Sequence, residues 1–157
     1  MCILSDSQIF RLASEGKLIA AGFSEQSLTP NGYDLRVSEV MLPDRSKESA
    51  GIARIPSLSR FAVSTIEKVL LPADVTAQLW LRSSYARRGI MGSFGKVDAG
   101  FSGTLTLSFF NSSSEELMLE RGDRITQIVF EKMCGEAERG YGSRSGHYQN
   151  QSEIRLE

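Results

Sequence analysis

The sequence predicts a mainly β domain, a jelly-roll-like β-sandwich or barrel with one short helix at its start and a flexible arm at its end. Three observations carry this: many short apolar runs of period two between turn residues, one early stretch with helical spacing, and a Gly- and Ser-rich final segment with few apolar side chains. The chain has 157 residues, room for about one domain at the rough prior of 150 residues each. Apolar residues make up 41% and charged residues 24%, which is ordinary for a chain with a packed core.

Ser5 followed by Gln8 is a capping-box pattern ahead of Ile9, Leu12 and Ala13, so a helix is expected from near Ser5 to about Gly16. From Tyr33 the period becomes two, with Tyr33, Leu35 and Val37 alternating with Asp34, Arg36 and Ser38. Phe61–Val63, Val69–Leu71 and Val75–Leu81 read as further strands, as do the segments around Leu105–Phe109, Leu117–Leu119 and Ile125–Phe130. Between them, Ser83 to Gly95 holds a brief helical pattern at Tyr85–Gly89 and is a candidate functional loop. One domain therefore spans residues 1–157, with 135–157 as an arm too polar to form a core of its own.

Composition excludes several functions. Eighteen Lys and Arg against nineteen Asp and Glu leave a net charge of -1, without the basic footprint that grips nucleic acid through many phosphates. A free nucleotide needs only a few arginines and stays open. Cys2 and Cys134 give no disulfide framework and suit a reducing cytoplasm. His147 is the only histidine, and neither Cys-x-x-Cys nor His-x-Glu occurs, which argues against zinc. The start lacks a basic leader with a long apolar stretch, and no apolar run approaches about 18 residues, so a soluble cytoplasmic protein without a membrane partner is expected.

Four segments could carry chemistry. In Leu81-Arg82-Ser83-Ser84-Tyr85-Ala86-Arg87, a strand ends in guanidinium and hydroxyl groups, and a following helix turn would add N–H donors. That is either an anion cradle or a capped helix with solvated arginines. Gly95 to Gly103 is a glycine-punctuated turn carrying Asp98 and Phe101. Either it walls a pocket in which Asp98 orients a water, or Asp98 bonds its own turn backbone. Gln127 is an amide among apolar neighbours, a ligand reader or a sheet bond. Asp34 and Arg36 share a strand face and could pair with each other.

Taken in order, Asn31–Leu35, Arg82–Ser84, Val97–Gly103, Gly122–Gln127 and Gly140–Ser143 resemble the five motifs of the trimeric dUTPase and dCTP deaminase superfamily. The opening Ile3–Asp6 and the ending His147–Gln151 are more similar to the deaminase branch, including its bifunctional archaeal members. The resemblance implies a jelly-roll subunit in a homotrimer, each site built by more than one subunit and closed by the terminal arm over a Mg-nucleotide, the arm ordering only when substrate binds.

It also implies roles. Asp98 takes the place of the carboxylate that activates water, making it general base for attack on the α-phosphorus of dUTP. Arg82, Ser83, Ser84, Arg87 and Gln127 hold phosphates, and Phe101 packs on the deoxyribose. Main chain around Thr106, Leu107 and Ser108 reads the base edge, and Tyr141 covers the base. His147, which stands where the deaminase tail has lysine, and Gln151, which matches that tail, complete the substrate-binding set. Mg2+ is held by phosphates and waters with no direct protein ligand, Asp34 reaching one of those waters. The deaminases have a proton-carrying glutamate where this chain has Ser108, whose hydroxyl is a very poor base near pH 7. The expected activity is therefore dUTP diphosphatase. The alternatives are a dCTP deaminase, alone or bifunctional, and a nucleotide-binding relative without catalysis.

Overall fold

The computed structural model describes residues 2–157. Strand β1 (Cys2–Ile3) precedes helix α1 (Asp6–Ser14), then β2 (Leu18–Ala21), β3 (Leu28–Thr29) and the long β4 (Gly32–Met41). Next come β5 (Lys47–Glu48), β6 (Ile52–Ile55), β7 (Ser59–Thr65), β8 (Lys68–Leu70) and β9 (Val75–Leu81). The one-turn helix α2 (Ser83–Ala86) leads to β10 (Ile90–Gly92), β11 (Lys96–Val97) and β12 (Ser102–Gly103). β13 (Thr106–Asn111), β14 (Leu117–Glu120), β15 (Arg124–Lys132) and the short α3 (Tyr141–Arg144) complete the order.

Helix α1 begins where the capping pattern placed it, with the Ser5 N–H donating to Gln8 Oε1 at 3.0 Å. It ends by a Schellman pattern in which Gly16 N–H reaches Ala13 O and Lys17 N–H reaches Leu12 O, each at 2.9 Å. Gly16 supplies the positive φ of 73° that this stop requires. One helical face is needed, and Ile9 is fully buried from it.

Every strand pair is antiparallel. The main path runs β10-β13-β7-β4-β15-β9-β11, curling so that its inner face meets the smaller β12-β8-β2 sheet and the β14-β6 pair. This is the expected jelly-roll architecture. Tyr33, Leu35, Phe130, Ile128, Ile55, Leu117 and Leu119 fill the interior, each completely buried aliphatic or aromatic side chain stabilising by roughly 1.5–3 kcal/mol. The pair β6–β14 was not foreseen from sequence, because its inward set on β6 is only Ala53 and Ile55 while Ile52 points outward.

Burial on β4 departs from simple alternation. Asp34 is buried between Tyr33 and Leu35, and Arg36 is half-buried. They do not pair with each other. Asp34 meets Arg82 Nε at 3.0 Å, and Arg36 Nε meets Glu67 at 2.7 Å. The strand is covered on both faces, so each charge takes its partner from another element.

The terminal segment lies along the hairpin that joins β11 to β13. Tyr141 N–H donates to Ala99 O at 2.8 Å, Asn150 N–H to Ser102 O at 2.6 Å, and Thr104 N–H to Gln151 O at 2.9 Å. Gln149 Nε2 and Gln151 Nε2 add bonds to Gly100 O and Thr104 O at 3.1 and 2.7 Å. The segment expected to close the site lies here on its own chain's hairpin, which offers free main-chain groups as a template. Two glycines let it approach. A Cβ on Gly103 would lie 3.1 Å from both the N and the O of Gln151, at a φ of 147°. Gly103→Ala should therefore loosen residues 141–157 without unfolding the sheet, read as several-fold faster proteolytic cleavage there at an unchanged melting temperature.

Candidate functional site

A cavity of about 490 Å³ opens between the β11–β13 hairpin, the loop before β11 and the terminal segment. Asp98, Phe101, Thr106, Leu107, Ser108, Tyr141 and Gln151, all singled out from sequence, line it. Strand alternation explains Ser108: Leu107 and Phe109 are buried, which turns Ser108 outward. Phe101 is buried, and its ring meets Tyr141 edge-on at 5.4 Å, which fixes one wall.

Asp98 is exposed, and its carboxylate makes no hydrogen bond or ion pair among the described residues. The alternative in which it bonds its own turn is not what the structure has: the turn is closed by Phe101 N–H to the main-chain oxygen of Asp98 at 3.1 Å. Among the described residues it is the only carboxylate lining the cavity. Glu115 and Glu116 lie away from it, Glu116 pairing with Arg54 at 2.8 Å.

The other sequence candidates form a second group. Arg82, Ser83, Ser84, Arg87, Gln127 and Asp34 do not line the cavity. α2 is a single turn, with Arg82 as its N-cap, so the helix-end contribution to an anion cradle is slight. Ser83, Ser84 and Arg87 are exposed. Arg82 is drawn inward, its Nη1 donating to Arg124 O at 2.8 Å while Nε holds Asp34. Gln127 sits opposite Asp34 in the β15–β4 register and donates to Thr29 Oγ1 at 2.7 Å. The sheet bond foreseen as one of its two readings is thus present. His147 also lies outside the cavity; its ring packs on Tyr148, which does line it.

Burial raises the Asp34 pKa above the ordinary carboxylate value, and the Arg82 and then the Arg124 charges offset part of that rise. A raised folded pKa means that this group's stabilising contribution is complete below the unfolded value and is lost as pH climbs through the folded one. Compared with Asp34→Asn, the wild-type protein should lose stability over that rise, seen as a falling urea midpoint.

Sequence reasoning missed several lining residues: Lys96, Arg155, Tyr148, and the loop pair Ser93 and Phe94. The loop pair falls within the segment marked as functional, whereas nothing local marks Arg155, which reaches the cavity only because the terminal segment folds back. No cluster of three or more Asp, Glu, His or Cys exists among the described residues. The cavity's lone carboxylate suits a divalent ion that arrives on a phosphate ligand and keeps its waters, as Mg2+ does.

A family model described as "dCTP deaminase-like" matches residues 55–133. The chain is 41% identical to a protein named dCTP deaminase from Thermococcus gammatolerans, covering 90% of each. It is 32% identical to one named "dCTP deaminase, dUMP-forming" from Aquifex aeolicus, covering 97% of this chain and 92% of that one. The crystal structure of 2'-deoxycytidine 5'-triphosphate deaminase from Agrobacterium tumefaciens superposes with a TM-score of 0.71 at 23% identity, over 83% of this chain and 47% of that chain. The native EIAV dUTPase gives a TM-score of 0.52 at 18% identity, over 82% of this chain and 93% of that one. At those identities the two structures speak for the fold. No helix of the described residues is long and apolar enough to cross a membrane.

Proposed function

Because the chain belongs to the dCTP deaminase-like family, we propose that it acts on a pyrimidine 2'-deoxynucleoside triphosphate, and that its main reaction is hydrolysis of dUTP to dUMP and pyrophosphate. One observation carries the choice of reaction: a single unpartnered carboxylate, Asp98, faces the cavity, and the outward position on β13 is Ser108. Asp98 takes a proton from a water as its oxygen bonds to the α-phosphorus. The bond from that phosphorus to the bridging oxygen breaks, and pyrophosphate leaves with the electron pair. General-base help of this kind is worth about 10²- to 10⁴-fold.

Phe101 packs against the deoxyribose, where a 2'-hydroxyl has no room, and Tyr141 covers the base. Main-chain groups at Thr106 and Leu107, with the Ser108 hydroxyl, read its edge. Mg2+ would be held by the phosphate oxygens and waters and would supply neutralising charge at the leaving group; Asp34, once released from Arg82, would reach one of those waters. Arg82, Ser83, Ser84, Arg87 and Gln127 bind the phosphates, with His147 and Gln151 supporting the closed arm of residues 135–157. Since Arg82, Ser83, Ser84, Arg87 and Gln127 do not line the same chain's cavity, a complete site needs a second copy, and a cytoplasmic homotrimer supplies it. Exposed Trp80 and Met91 offer apolar surface for such contacts.

A second reading is deamination of dCTP. The names of the sequence relatives favour it and support it better than they support hydrolysis. It requires a proton carrier other than a glutamate at position 108. Incubation with Mg2+ and either dUTP or dCTP, followed by separation of products, decides between them. Pyrophosphate from dUTP with the base unchanged is the expected result, and Ser108→Glu should then raise ammonia release from dCTP. Rapid ammonia release from dCTP by the unaltered protein, without dUTP hydrolysis, makes the second reading the correct one.

A further inference from the structure

The geometry points to Arg155 as a base-selecting residue that favours uracil over cytosine, an assignment that rests on the pyrimidine-nucleotide reading above. The argument begins with the polarity of the cavity. A second cavity of about 580 Å³ shares Lys96, Asp98 and Tyr141 with the first. A third of about 700 Å³ shares Ser108 and Leu156 with it. These shared walls define two ends, one at Asp98 and the other at Ser108. Chemistry on the α-phosphorus occurs at Asp98, so the base extends from there, past Phe101 and Tyr141, whose rings meet at 5.4 Å, toward Ser108.

Arg155 belongs to that far end. Its N–H donates to Thr106 Oγ1 at 3.0 Å, and its neighbour Ile154 is buried and anchors the backbone there. The guanidinium is held in place rather than loose: Nη1 donates to His147 O and Nε to Glu157 O, both at 3.0 Å, with the Tyr148 ring centroid 5.8 Å away. No Asp or Glu side chain pairs with it among the described residues. Two of its five N–H donors are used, and the remainder, including both on Nη2, are free to face the cavity that it lines.

A guanidinium donates only and never accepts. Beside a pyrimidine it matches the O4 acceptor of uracil, O2 being an acceptor in both bases. Against the 4-amino group of cytosine it sets donor against donor, so the contact made with the uracil O4 is lost. Arg155 thus selects by penalising the wrong base as well as by binding the right one.

The test is calorimetric titration with the α,β-imido analogues of dUTP and dCTP, using the full chain with Mg2+. The unaltered protein should bind the uracil analogue about tenfold or more tightly. Arg155→Met should bring that ratio close to one, and Arg155→Lys, which keeps the charge but loses the planar fork, should recover only part of it. Equal affinity of the unaltered protein for the two analogues overturns the proposal. So does an equal loss for both analogues in Arg155→Met, which marks a phosphate clamp or an arm latch. Failure of the hydrolase reading shows separately, as absence of pyrophosphate release from dUTP, and leaves the binding ratio as the measure of this proposal.

Discussion

Asp98→Asn should lower pyrophosphate release from dUTP by about 10²- to 10⁴-fold while nucleotide affinity changes little. The amide is nearly the size of the carboxylate, so the turn closed by Phe101 N–H and the main-chain oxygen of Asp98 stays as it is. What disappears is a base. Asp98 has no hydrogen bond or ion pair of its own among the described residues and is the sole carboxylate at the cavity, so no neighbour can take over the proton. The effect should fall on kcat with KM nearly constant, the pattern of an interaction made in the transition state. Steady-state kinetics on dUTP, with calorimetric binding of a non-hydrolysable analogue, measure both. An Asp98→Asn enzyme that keeps normal turnover removes Asp98 from the mechanism and with it the hydrolase assignment.

The largest effect on stability is expected at Glu67, far from any cavity described above. Its side chain is fully buried in the turn between β7 and β8. It accepts from Arg36 Nε at 2.7 Å, from Arg36 N–H at 2.9 Å and from the Tyr33 hydroxyl at 3.3 Å. Arg36 continues through Nη2 to Gly22 O, and the Tyr33 oxygen accepts from Ser24 N–H at 3.0 Å. Burial, and then the Glu67 charge, raise the Tyr33 pKa, which keeps that phenol a donor at neutral pH. One carboxylate thus ties β4, the 66–67 turn and the 22–24 loop together.

Glu67→Ala strands a half-buried guanidinium and a buried phenol. Breaking one partner of such a pair costs roughly 3–5 kcal/mol, or about 6–20 °C in melting temperature for a domain of this size. Thermal and urea unfolding of Glu67→Ala, Arg36→Ala and the double variant measure it. The double variant should lose less than the two single losses combined, because the second removal takes away a charge already unpaired. Simple additivity, or a Glu67→Ala loss under 1 kcal/mol, contradicts this account.

Both residues show how far the chain could be read unfolded. Asp98 was visible because a glycine-flanked turn with one carboxylate and one aromatic is a local pattern, and it is where the structure places a free acid. Ser108 was visible as the outward position of an alternating strand. Glu67 carried no mark: its role depends on Tyr33 and Arg36, more than thirty residues earlier. By sequence alone Arg36 could equally pair with Asp34, since period two puts them on one face. The structure gives each a different partner because both faces of β4 are covered.

Local physics in the sequence determined the kind of fold, the capped first helix and the strands with two-residue rhythm, and it marked Asp98 and Ser108. These depend on neighbours a few positions apart, where spacing and residue type suffice. Tertiary structure decided which charges pair, that Arg155 and Tyr148 reach the cavity, and that the Arg82–Arg87 group does not share it with Asp98. Those facts turn on contacts between segments tens of residues apart, and chain closure over such distances is selected by packing and desolvation of the whole domain rather than by any local pattern.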